Sequence, residues 1–277
     1  MFDWLVWDNP VAIWWIGLVA ISICNILFWF WSFVYFSGSS RSEKMAHPVL
    51  WLSSIYVFGC AFRSILPRAD VQRITLFDTW WSSVLVGRTV ATIAELAFVA
   101  QWAIVLTYAA RETHSKYVAK VAKLALPLII LAEICSWYAV VTTNYLGNSI
   151  EESLWAITYT LIGSATLVLA FRFRGALRTV CALATIGSVL YVLFMVTVDV
   201  PMYVSRWIGD EAAGKSYLGF FQGIHDLNTR WIVTHDIQQW RSEIAWKTLY
   251  FSFAVWVSMA LCYVPRHPGA LKSYYRS

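Results

Sequence analysis

Residues 80–110 read WWSSVLVGRTVATIAELAFVAQWAIVLTYAA, with one arginine, Arg88, and one acid, Glu95, in the whole run. About 20 apolar residues rising 1.5 Å each cross a hydrocarbon core of about 30 Å, so a run this long is expected to span a membrane. Hydrocarbon gives the backbone no partner and the alternation of a barrel strand is absent, which leaves an α-helix. Working outward, runs of the same kind recur at 10–36, 48–66, 121–145, 154–171, 175–200 and 244–264. The expected fold is an all-α integral membrane protein, one polytopic domain over residues 1–277 forming a seven-transmembrane-helix bundle.

Composition agrees with that reading. Hydrophobic residues make up 59% of the chain and charged ones 13%, against roughly 25% charge in a soluble domain, and the mean hydropathy is +0.59. Disorder and a collagen-like fibre are excluded. Nucleic acid is not an expected partner, because the net charge of +5 is spread over loops. Cys24, Cys60, Cys135, Cys181 and Cys262 all fall inside spans, so no disulfide is expected, and no Cys/His spacing suits zinc or covalent haem. The sequence names no cofactor.

Arg41, Lys44, Arg111, Lys116, Lys120, Lys123, Arg172, Arg174, Arg178, Arg266, Lys272 and Arg276 fall in one set of loops. Asp3, Asp8, Asp70, Asp78, Glu151, Glu152, Asp210, Glu211, Asp226 and Asp236 mark the other side. The positive-inside rule then predicts an outer amino terminus, a cytoplasmic carboxyl terminus and a plasma or inner membrane. Helix 1, too long for a secretory leader, is read as a retained signal anchor.

The longest gap, 202–243, lies on the predicted outer side. Tyr217, Leu218, Phe220, Phe221, Ile224 and Leu227, then Trp231, Ile232, His235, Ile237 and Trp240, recur at helical spacing. That predicts one or two amphipathic helices forming a lid. Two His-Asp pairs fall in it, His225–Asp226 and His235–Asp236. His225 and Asp236, eleven apart, would share a helical face, a weak divalent-cation candidate because the spacing matches no known ligand motif.

Ionisable groups inside spans are costly, so each needs a reason. Arg88, Thr92 and Glu95 form one stripe of helix 3, and Glu133, Trp137 and Asn144 one stripe of helix 4 with Ser136 beside it. Glu151 and Glu152 enter helix 5, and Asp199, Tyr203 and Arg206 leave helix 6; Arg63 ends helix 2. The simplest reconstruction is a polar cavity opening outward. Glu95, Glu133 and Asp199 are the catalytic candidates, able to move protons. Arg63, Arg88, Asn144, Glu151, Glu152, Tyr203 and Arg206 are the substrate-binding candidates, the arginines suited to a phosphate or carboxylate headgroup. The plain alternative is that these groups are ion pairs pinning helix packing.

Glu243-x-x-x-Lys247 resembles the acid and lysine spacing of microbial rhodopsins, but it stands at the entrance of its helix, and helix 3 lacks that family's Trp and acid pattern. Glu151-Glu152 resembles a stretch of membrane lycopene cyclases without the proline that precedes it there. Each likeness covers a few residues, so no family is expected from them. With no nucleophile motif, the favoured expectation is a tryptophan-rich enzyme doing acid–base chemistry, isomerisation or cyclisation, on a membrane lipid or isoprenoid. The alternatives are a receptor-like or accessory subunit with membrane-protein partners, or a transporter or proton pathway using Glu95 and Glu133.

Overall fold

The computed structural model describes residues 4–37 and 46–264, and expectations resting on Asp3, Arg41, Lys44, Arg266, Lys272 and Arg276 lie outside them. The helices are α1 (Pro10–Ser37), α2 (Ala46–Ile65), α3 (Val84–Glu112), α4 (Lys116–Thr142), α5 (Tyr145–Arg172), α6 (Gly175–Ala212), α7 (Phe220–Thr229) and α8 (Ile237–Leu261). All but α7 are long and apolar enough to cross a membrane, giving the seven that the sequence predicts.

Helices α2 to α6 pack each on the next, α1 lies on α2, and α8 closes against α1, α2 and α3. No extended packing joins α6 to α8. The buried core runs through α2, α3 and α8, where Tyr56 stacks on Phe98 at 4.5 Å between ring centres. Helix α4 ends on Thr143 in the left-handed region (φ 61°). The chain then turns directly into α5, where Asn144 accepts a hydrogen bond from Leu146 N at 2.9 Å as the helix cap. A Cβ at Gly147 would fall 2.5 Å from Cys135 O, so glycine is what lets α4 and α5 approach this closely.

Three boundaries differ from the sequence reading. Helix α5 begins nine residues before the expected start at 154, so Glu151 and Glu152 lie inside it and not at its entrance. Helix α6 runs on past Pro201 to Ala212. A proline in an α-helix collides with the carbonyl four residues back, and the wider π-helical turn Met195–Asp199 removes that clash, so the helix continues where a stop was expected. At 1.5 Å per residue the 38 residues of α6 reach about 57 Å, well beyond the hydrocarbon. Helix α8 starts at Ile237, seven residues early, capped by Asp236, which accepts from Gln238 N at 3.0 Å. It carries its own π turn, Tyr250–Ala254.

One end of the bundle bears a small cap that periodicity did not announce. Strands β1 (Arg68–Ala69) and β2 (Ile74–Thr75) form an antiparallel hairpin, and β3 (Ile232–Val233) joins β2 in parallel, tying the α2–α3 loop to the segment before α8. Only α7 of the expected amphipathic helices forms as a separate element; Trp231–Trp240 instead supplies β3, a connector and the start of α8. Arg73, buried and at φ 60°, fastens the cap: it donates to Asp226 Oδ2 (2.8 Å), Asp70 O (2.6 Å) and Val140 O (2.7 Å).

Candidate functional site

Below the cap, four elements converge on one guanidinium, that of Arg88: α3, α4, α5 and the α2–α3 hairpin. The stripe Arg88, Thr92 and Glu95 of α3 faces the stripe Glu133 and Trp137 of α4, as the i, i+4 and i+7 spacing predicts. Arg88 Nη2 donates to Glu95 Oε2 at 2.8 Å and to Glu133 Oε2 at 2.7 Å, while Nη1 lies 3.6 Å from Glu151 Oε1 and 4.0 Å from Asp70 Oδ2. Thr92 Oγ1 donates to the same Glu133 oxygen at 2.5 Å and accepts from Trp137 Nε1 at 3.1 Å. Glu95 Oε1 takes bonds from Arg63 Nη1 (3.3 Å) and the Tyr250 hydroxyl (2.9 Å). Oxygens of Glu95, Glu133 and Glu151 lie within 4.8 Å of one another, and all three side chains are buried.

The charges do not cancel. Two guanidinium groups, Arg63 and Arg88, face three carboxylates, while Asp70 pairs with Arg68 Nε at 3.3 Å. Among the described residues, buried polar atoms are also left over: the acceptors Glu133 Oε1 and Asn148 Oδ1 and the donor Arg88 Nε have no hydrogen-bond partner, while the Ser136 hydroxyl lies within hydrogen-bonding reach of Glu151.

A second polar group lies beside the first, between α6 and α8, where Arg206 Nη2 donates to Ser242 Oγ at 3.2 Å. Lys247 Nζ bonds Glu243 Oε2 at 2.8 Å, and both side chains are buried. The Arg206 guanidinium stands over the rings of Tyr145 and Tyr203, 5.6 and 5.7 Å from their centres. Asp199, the last residue of the π turn in α6, is buried in electrostatic range of Glu243, Arg206 and Lys247 without pairing with any of them among the described residues. Glu152 links the two groups, feeling Glu151, Asp199, Glu95 and Arg88. Between α5 and α6 an apolar groove of about 410 Å³ is lined by Ile157, Leu161, Val192 and Val196, and reaches Ser153 and Val200, the chain neighbours of Glu152 and Asp199.

The candidates thus sort unevenly. Arg63, Arg88, Glu95, Glu133 and Glu151 meet directly; Glu152, Asp199, Tyr203 and Arg206 stand in the adjoining group. Asn144 is a helix cap, corrected from a stripe of helix 4, because α4 ends before it. The His-Asp pairs do not come together on a helical face, because α7 ends at Thr229. Asp226 is held by Arg73 and Arg230, His225 is exposed, His235 stacks on Trp4 at 4.3 Å and bonds Leu76 O, and Asp236 caps α8. Three partners were missed, among them Asn148, whose Nδ2 donates to Glu151 Oε2 at 3.0 Å. Tyr250 follows Glu243 and Lys247 at i, i+4 and i+7, a signal the sequence offered; Asp70 arrives through the hairpin, which no periodicity marks.

In the cap, outside the spans, burial pushes the Asp70 carboxyl up, but Arg68, Arg63 and Arg88 outweigh it and hold the group below its ordinary value. No family model, no curated protein and no solved structure matches this chain.

Proposed function

We propose that the chain is an intramembrane acid–base enzyme acting on an apolar lipid or isoprenoid molecule that reaches it sideways from the bilayer. The observation that carries this reading is the group of three buried glutamates around Arg88, one more carboxylate than its two arginines compensate. In a low dielectric the extra charge is neutralised by a proton, which makes the group a buried acid held ready beside a fixed guanidinium. Protonating a substrate double bond and removing a proton elsewhere conserves atoms, as isomerisation or cyclisation requires. The groove along α5 and α6, lined by apolar side chains with Ser153 and Thr160, suits the apolar part of such a molecule.

The same reading puts the capped end of the bundle outside. Arg111, Lys116, Lys120, Lys123, Arg172, Arg174 and Arg178 all lie toward the opposite end, as a cytoplasmic face requires.

One observation favours the proton-pathway alternative. Gln101, Ser258 and Ser53 form a buried polar group deeper in the bundle, with Ser258 Oγ 2.6 Å from Gln101 Oε1 and 3.1 Å from Ser53 Oγ, and Tyr56 lies between it and Tyr250 along α2.

The two readings part in a lipid extract. Cells producing the wild type should accumulate an isomerised or cyclised lipid by mass spectrometry that cells producing Glu133→Gln lack. Identical lipid profiles, together with proton flux through reconstituted vesicles, would replace the enzyme with the pathway.

A further inference from the structure

We infer that one turn of α4, carrying Glu133 and Ser136, and one turn of α5, carrying Asn148 and Glu151, form a binding site for a single monovalent alkali cation. The site lies at the Glu133 and Glu151 carboxylates, whose oxygens come within 4.8 Å of each other. Arg88 occupies Glu133 Oε2 and approaches Glu151 Oε1, leaving Glu133 Oε1 without a partner and Glu151 Oε2 bonded to Asn148 Nδ2 at 3.0 Å. That bond fixes the Asn148 amide at the cluster, and its own oxygen finds no donor although the residue is more than nine-tenths buried, while the Ser136 hydroxyl lies within hydrogen-bonding reach of the Glu151 carboxylate and keeps a lone pair for a cation. Unsatisfied oxygens at one level of two touching helices are what a hard cation takes and what a packed apolar core avoids. Glycine at 147 brings the two turns close enough to share it.

Charge selects the valence. Within the ion-paired set, Arg63 and Arg88 against Glu95, Glu133 and Glu151 leave one negative charge, which one sodium ion neutralises and a calcium ion would overshoot by one; Glu152 makes no ion pair in that set and is not counted in it. The inference deepens the acid–base reading and rests on it in one respect: the cation takes the charge there assigned to a proton, so the two compete. The charged and titratable groups facing the site are Arg88 and Glu95 from α3, Arg63 from α2, Asp70 from the hairpin, Glu152 from α5 and Tyr250 from α8.

The test is thermal unfolding of the full chain in lipid nanodiscs, in sodium chloride against choline chloride at equal ionic strength. At pH 8.5 sodium at concentration c should raise Tm in proportion to ln(1 + c/Kd), by about 3–6 °C when it stands about tenfold above its Kd. The rise should shrink at pH 6, and calcium should not reproduce it. Ser136→Ala and Asn148→Ala, which keep every carboxylate, should each raise the apparent sodium Kd about tenfold, read within each variant as the difference between its sodium and choline Tm, whatever the loss of the Glu151 hydrogen bond does to the choline Tm itself. Coincident melting curves in sodium and choline at both pH values would overturn the site, as would calcium matching sodium, or both variants binding as the wild type does. Because the readout needs no turnover, sodium binding without lipid conversion would sink only the enzymatic reading, and lipid conversion without sodium binding only this one.

Discussion

Arg73 and Asp226 form a 2.8 Å ion pair across 153 residues of sequence, joining the α2–α3 hairpin to α7 on the capped end of the bundle. Because Arg73 also donates to Asp70 O and Val140 O, one buried side chain holds hairpin, α4 and α7 together. Arg73→Ala should therefore cost about 3–5 kcal/mol in the cap. Arg230→Ala, removing the largely exposed second partner of Asp226, should cost less than about 1 kcal/mol. Local stability from hydrogen exchange of α7 amides measures both, and equal losses would contradict the assignment.

The same carboxyl gives a pH dependence. Burial pushes Asp226 up, but the hydrogen bonds and charges of Arg230 and Arg73 prevail and hold it below the ordinary aspartate value. A depressed carboxyl contributes stability that is present above its unfolded pKa of about 3.9 and is lost as pH falls through the lower native value. Protection of α7 should stay level from pH 7 to about pH 5 and decline below about pH 4. Asp226→Asn should remove that acid step; an unchanged step in the variant would place its origin elsewhere.

Gly87 in the first turn of α3 lies under the Arg68 guanidinium: a Cβ there would fall 1.1 Å from Arg68 Cζ. Gly87→Ala should displace Arg68 from Asp70 and destabilise the protein by about 1–3 kcal/mol. In a double-mutant cycle, Arg68→Ala should relieve most of the added cost. Strict additivity would mean that the two positions do not meet.

Membrane sidedness has a direct check. A tag at the amino terminus should label from outside intact cells and one at the carboxyl terminus only after permeabilisation. The opposite pattern would invert the bundle and turn the cap toward the cytoplasm.

What could be read from the sequence follows the physics that fixes each part. Spans are set by length and apolarity, so all seven appear near their expected positions. The stripe Arg88, Thr92 and Glu95 was legible because helical spacing alone puts it on one face, and the cost of a lipid-exposed Glu133 turns that residue inward to meet it. Pro201 misled because its clash is absorbed by a π turn, a tertiary accommodation without a local signature. Asn144 misled because it continues the period of α4 while serving as the cap of α5. Two-residue strands such as β1 and β2 are too short to show alternation, so Asp70 and Arg73 gave no warning of their roles.

Turnover and stability measured together on Glu133→Gln, in heavy water, test the central claim most directly. Glutamine keeps the shape of the side chain and its bond to Thr92 while removing the exchangeable carboxyl proton. If the glutamates supply the proton, the wild type should place one solvent deuterium on carbon in each product molecule. The variant should form no deuterated product while its Tm stays within about 3 °C of wild type. Undiminished deuterated product from Glu133→Gln would contradict the account, and so would activity lost only in step with unfolding, which would make Glu133 a structural partner of Arg88.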